Sequence, residues 1–171
     1  MVDERLVKEI RRRAHGYDQY SGCSQSVFLA LQEGLSIGCK ESFKSATVLS
    51  GGVARRGETC GALLGALMAL GLVSGRERME DYDRYAQATN IANEICDEFQ
   101  RRLEEEFGFG EPLESTLCRE IQTRIYGRSF DLRDPAQREA FLAAGGHSDE
   151  GCYKVCGIAA EAAAERLLKL I

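Results

Sequence analysis

Gly57-Glu58-Thr59-Cys60-Gly61-Ala62-Leu63-Leu64-Gly65-Ala66-Leu67-Met68-Ala69-Leu70-Gly71 is the stretch on which the fold turns. Nothing between Thr59 and Gly75 is charged, and Glu58 and Arg76 bound the run. It falls short of the roughly 20 apolar residues that a membrane-spanning helix needs, so it reads as a buried core helix and no membrane insertion is expected. A glycine inside a helix costs about 1 kcal/mol relative to alanine. The clustering of Gly61, Gly65 and Gly71 therefore predicts a close approach there, by a neighbouring helix or by a cofactor.

Outward from this helix the apolar residues recur three and four apart, and no stretch shows sustained alternation. A first helix is expected over about Asp3 to Ala14, ending near Gly16. A second opens at Ser21 to Cys23 and carries Val27, Phe28, Leu31 and Leu35. A short helix over Lys40 to Leu49 ends at Gly51-Gly52, and Val53 to Gly57 is a tight connection. A long helix from about Glu80 to Phe107 places Tyr85, Ala88, Ala92, Ile95, Cys96, Phe99 and Leu103 on one stripe. Cys118 falls in the first turn of the next helix, and Asp134-Pro135 caps and opens another. Ser148 or Asp149 caps the last, which carries Cys152 and Cys156. The expected fold is all-α: one domain over residues 1–171, a bundle of six to eight helices around the buried Gly/Ala-rich helix of Cys60.

Composition narrows the function. A net charge of −5 argues against a nucleic-acid surface, which needs a clustered basic face. The one basic run, Arg11-Arg12-Arg13, shares its helix with Asp3, Glu4 and Glu9 and reads as a solvated face. The N-terminus is charged from Asp3 onward and lacks the apolar core of a secretory signal, so a cytoplasmic location is expected. His15 and His147 sit beside glycines and read as loop histidines. No phosphate-loop or dinucleotide-binding pattern is present.

Seven cysteines in a reducing compartment point to metal binding or redox chemistry rather than structural disulfides. Four of them, Cys23, Cys60, Cys118 and Cys152, each lie where a helix begins, and free N–H groups and the helix dipole favour a thiolate or an anionic cluster there. Their spacings of 37, 58 and 34 residues match no zinc-finger or ferredoxin pattern, so any shared site must be assembled by the tertiary fold. The absence of Cys-x-x-Cys-His excludes covalent c-type haem. Cys96 lies on an apolar stripe and reads as a core residue.

The segments Gly22-Cys23-Ser24-Gln25-Ser26-Val27, Gly57-Glu58-Thr59-Cys60-Gly61-Ala62-Leu63-Leu64-Gly65-Ala66, Cys118-Arg119-Glu120-Ile121, and Cys152 ahead of Ala159-Ala160-Glu161 together resemble the C_GCAxxG_C_C family of redox-active proteins. A related module accompanies the haem domain of split-Soret cytochromes, where it is associated with an iron–sulfur cluster. The resemblance points to Cys23, Cys60, Cys118 and Cys152 as cluster ligands or redox thiols, with Cys156 as a substitute for Cys152. Gly61 and Gly65 would leave room for the cofactor. Zinc, or no metal at all, is the alternative.

The expected function is thus that of a redox protein, an electron carrier or a component of an oxidoreductase, working with an unidentified redox partner protein. Its rivals are a metal-free thiol–disulfide protein and a structural zinc-binding interaction module. The glycine-rich helix and the modest size admit a homodimer.

Overall fold

The computed structural model describes residues 2–171. It contains eight α-helices: α1 (Glu4–Tyr17), α2 (Cys23–Leu35), α3 (Lys40–Ser45), α4 (Gly61–Ser74), α5 (Tyr82–Phe107), α6 (Cys118–Tyr126), α7 (Pro135–Ala143) and α8 (Cys152–Leu167). Single 3-10 turns occupy Asp18–Tyr20 and Thr47–Leu49. The only pairing of strand type among the described residues is an isolated antiparallel bridge between Thr59 and Leu117.

Local chemistry accounts for most boundaries. The Asp3 carboxylate accepts from the Arg5 and Leu6 N–H groups and caps α1, Asp81 caps α5, and Asp134 with Pro135 opens α7. Gly108 and Gly127 end α5 and α6 in the left-handed conformation. Three boundaries depart from the sequence reading. The helix expected over Lys40 to Leu49 ends at Ser45, and Thr47–Leu49 forms a separate 3-10 turn. α1 runs through Gly16 and feeds the 3-10 turn, which carries Asp18 into the interior. α8 is capped by the backbone of Gly151, without a side-chain cap from Ser148 or Asp149.

α8 packs on α1, α2, α4 and α5, and α4 packs on α2, α5 and α8, so the Ala-rich and Gly-rich helices share the centre. Phe28, Leu31, Leu63, Phe99, Leu103, Ile158 and Leu167 fill the space between them. On α5, Ile91, Ile95, Phe99 and Leu103 are buried, whereas Tyr85 lies outside with the Arg76 guanidinium over its ring. Arg11 is less solvated than its sequence suggests. It bonds to Glu106 on α5 and Glu161 on α8, and Arg102 bonds to Glu98, Glu161 and Glu165, which ties three helices by a half-buried ion network.

The glycines of α4 are explained by α2. A Cβ on Gly65 would stand 2.2 Å from the Ser24 carbonyl oxygen, and one on Gly61 would stand 2.6 Å from Cys23 Sγ. These two residues thus let α2 approach α4 closely, with Gly65 against the α2 main chain and Gly61 beside a cysteine sulfur. Gly65→Ala is expected to force the helices apart and cost about 1–3 kcal/mol or more. A urea midpoint equal to wild type would refute so tight a contact.

Candidate functional site

The four helix-start cysteines line one cavity of about 620 Å³. Cys23, Cys118 and Cys152 are first residues of α2, α6 and α8, and Cys60 is the N-cap of α4. Cys60 is buried, and the other three are half-buried, facing the cavity. All seven cysteines are free thiols. Cys156 is fully buried away from the cavity, with its S–H directed at the Cys23 carbonyl oxygen at 3.9 Å. Cys39 is exposed and caps α3 with Ser42, while Cys96 packs half-buried against the core. A helix start is thus shared by Cys39 too, and only the tertiary fold separates it from the other four.

Two cysteines are brought together by one unusual connection. Gly51, Gly52, Val53, Ala54 and Arg55 have φ of +67°, +69°, +57°, +52° and +63°, a left-handed turn five residues long. Each non-glycine residue so held costs roughly 1–2 kcal/mol. The turn is fixed from Val53 N–H to Leu49 C=O and from Glu58 N–H to Gly52 C=O. Its exit is clamped to the chain ahead of α6. Cys60 N–H donates to Thr116 C=O at 2.9 Å, and Cys118 N–H donates to Glu58 C=O at 2.7 Å. A Cβ on Gly52 would lie 2.7 Å from that of Cys118, so glycine is required there both for its φ and for the close approach.

Three of the four sulfurs have an N–H donor, and the fourth, Cys152, lies beside the Tyr126 hydroxyl. The Gly51 N–H points to Cys23, and the Ala62 and Leu63 N–H groups point to Cys60. Gln122 Nε2 donates to Cys118 Sγ at 3.5 Å, and Tyr126 Oη lies 3.4 Å from Cys152 Sγ. As free thiols, though, none is activated. Burial pushes Cys60 up to about 11 and Cys118 up to about 12, and it holds Cys23 and Cys152 well above the ordinary thiol value. The dipole argument from sequence expects the opposite direction. Desolvation by burial is the largest cause at each sulfur, and the Asp18 carboxylate adds repulsion at Cys23, Cys60 and Cys152.

Asp18, His147, Gln122 and Tyr126 also line the cavity, and sequence reasoning missed all four as site residues. His147 is a half-buried wall residue instead of a solvent-facing loop histidine. No local motif marks any of them. Among the described residues, no three His, Cys, Asp or Glu side chains form a group that could hold a single metal ion, and no helix is long and apolar enough to cross a membrane.

Two consequences can be measured. Ala54→Gly relieves a left-handed alanine and is expected to raise stability by about 1 kcal/mol. A lower urea midpoint would mean that the turn is not strained. In the reduced, metal-free protein, the raised folded-state values of Cys60 and Cys118 favour the folded state fully below pH 9, where the unfolded thiols titrate. That contribution is lost as pH climbs from 9 through about 11 and 12. The urea midpoint should fall over this range, and fall less in Cys118→Ala; equal falls in both would remove Cys118 from the buried set.

Residues 21–166 match the family described as "Putative redox-active protein (C_GCAxxG_C_C)". No curated protein and no solved structure matches the chain. The matched segment runs from just before Cys23 to the end of α8, and so takes in all four cavity cysteines and the Cys60-Gly61-Ala62-Leu63-Leu64-Gly65 motif. The chain belongs to the C_GCAxxG_C_C family, which is described as redox-active.

Proposed function

We propose that Cys23, Cys60, Cys118 and Cys152 hold an iron–sulfur cluster and that the protein passes electrons between it and a redox partner protein in the cytoplasm. The observation that carries this reading is the conjunction of four sulfurs on one cavity with four thiol protons that burial keeps in place. A buried thiolate needs a compensating cation. Iron bound to all four sulfurs would supply that charge, together with one-electron exchange. The donor set is all sulfur, which suits a cluster.

The surrounding groups have definite tasks in this scheme. The N–H groups of Gly51, Ala62 and Leu63 and the Gln122 amide each direct a donor at a sulfur, which stabilises the more negative, reduced state and raises the potential. Clamping between the Cys60 and Cys118 segments fixes two sulfurs relative to each other before any metal arrives. A thiol–disulfide cycle needs an accessible thiolate, and the upward shifts of all four thiols disfavour it.

Anaerobic reconstitution with iron and sulfide is expected to give a brown protein whose broad visible absorbance bleaches on reduction. Cys60→Ser should abolish the colour. Cys152→Ser should reduce iron content several-fold more than Cys156→Ser, because Cys156 does not line the cavity and its S–H is directed at a main-chain carbonyl. A colourless protein without iron that titrates as one dithiol couple would overturn the cluster in favour of thiol chemistry. Stoichiometric zinc with no iron uptake would favour the interaction module.

A further inference from the structure

Cys23 and Cys118 lie directly behind the left-handed turn. The Gly51 N–H points to Cys23, and a Cβ on Gly52 would lie 2.7 Å from that of Cys118. The next four residues, Val53 to Arg56, are exposed. A single turn of main chain thus has sulfur on one side and water on the other, and Val48, Ala54 and Arg55 belong to the cavity wall as well as to this outer face.

Main-chain bonds hold the face together. Ala54 N–H donates to Val48 C=O at 2.8 Å, Arg56 N–H donates to Val53 C=O at 3.1 Å, and Thr47 Oγ1 donates to Lys44 C=O at 2.6 Å. Lys44 and Val48 are exposed too, Val48 to 66%. Gly51 and Gly52 make the inward contacts without strain. Val53, a β-branched residue, is held at φ +57° and is followed by left-handed Ala54 and Arg55, all three exposed, so that no burial offsets the cost of the conformation. Strain of this kind collects at functional segments.

The charge of the face runs against that of the chain. Residues 40–56 carry Lys40, Lys44, Arg55 and Arg56 against the single acid Glu41, whereas the net charge of the protein is −5. Among the described residues Lys44, Arg55 and Arg56 form no ion pair, and Glu58, the next acid along the chain, is taken by Arg119 at 3.2 Å.

We propose that this face docks an acidic one-electron carrier protein, whose carboxylates meet Lys44, Arg55 and Arg56 and whose apolar contact covers Val48 and Val53. Transient electron-transfer encounters use small interfaces, and opposite charge steers them. The inference rests on the four cysteines holding the cluster. A docked carrier would gain one electron given up by iron, or return it in the reverse reaction.

The test pairs two small one-electron carriers of high potential, plastocyanin, which is acidic, and cytochrome c, which is basic. In the first arm, amide resonances of the full, iron-free chain are followed as each reduced carrier is added. Plastocyanin should shift resonances within residues 44–56, and cytochrome c should not. In the second arm, reduced iron-loaded protein is mixed with each oxidised carrier. Net charge alone favours cytochrome c, whereas the basic face gives a faster reaction with plastocyanin that slows as ionic strength rises from about 10 to about 200 mM. Joint Arg55→Glu and Arg56→Glu substitution should lower the plastocyanin rate about tenfold and raise the cytochrome c rate, with the urea midpoint unchanged. No plastocyanin shifts at this face, equal shifts from both carriers, or a plastocyanin rate that rises with salt would overturn the proposal. Plastocyanin shifts here in a protein that takes up no iron keep the docking face and end the cluster, and iron uptake without those shifts ends this inference alone.

Discussion

The contact between α2 and α4 governs the rest of the site. Gly65 lies under the Ser24 carbonyl and Gly61 beside Cys23 Sγ, at distances that no side chain bearing a Cβ could share. Two of the four cysteines belong to these helices, one at the start of each. Their relative position therefore follows from main-chain packing, which is stiffer than side-chain packing. Ser24 Oγ reinforces it by donating to the Ala46 carbonyl at 2.7 Å, which draws the Thr47–Leu49 turn against the same pair of helices.

On this frame the other two sulfurs are hung by backbone hydrogen bonds. The left-handed Gly51–Arg55 turn delivers the chain to Cys60 and holds the residues before α6 through the Glu58–Cys118 and Cys60–Thr116 bonds. Cys152 is set by its own N–H to the Gly146 carbonyl, an oxygen that also accepts from Tyr126 at 3.2 Å. A Cβ on Gly151 would meet Tyr126 Oη at 2.7 Å, so the residue before Cys152 must be glycine. Strain at a turn and buried polar groups are tolerated here because rigid helices on all sides over-determine the geometry.

Electrostatics gives the arrangement its chemical character. Helix starts lower a thiol's proton affinity, whereas burial raises it, and in this cavity burial prevails by a margin that places Cys60 at about 11 and Cys118 at about 12. The space is consequently poor for free thiolates. The buried Asp18 carboxylate, 3.3 Å from His147 Nδ1, adds to that character from a second element.

The sequence by itself determined the helical class, because apolar spacing, Asp caps and terminating glycines are local signals whose energetics need only a few neighbouring residues. Turn chemistry before a helix, written within a few residues of each, marks Cys23, Cys60, Cys118 and Cys152, but it marks Cys39 as well, which only the tertiary fold sets apart. Direction of the thiol shifts was not legible, because desolvation depends on what four distant segments bring to one place. The same reason hid Asp18, His147, Gln122 and Tyr126, which come from three separate segments and carry no motif. Gly65 was readable as a close approach but not as an approach to the Ser24 carbonyl. Only the tertiary structure names the partner in a contact, because the chain encodes the need for space locally and fills it from far away.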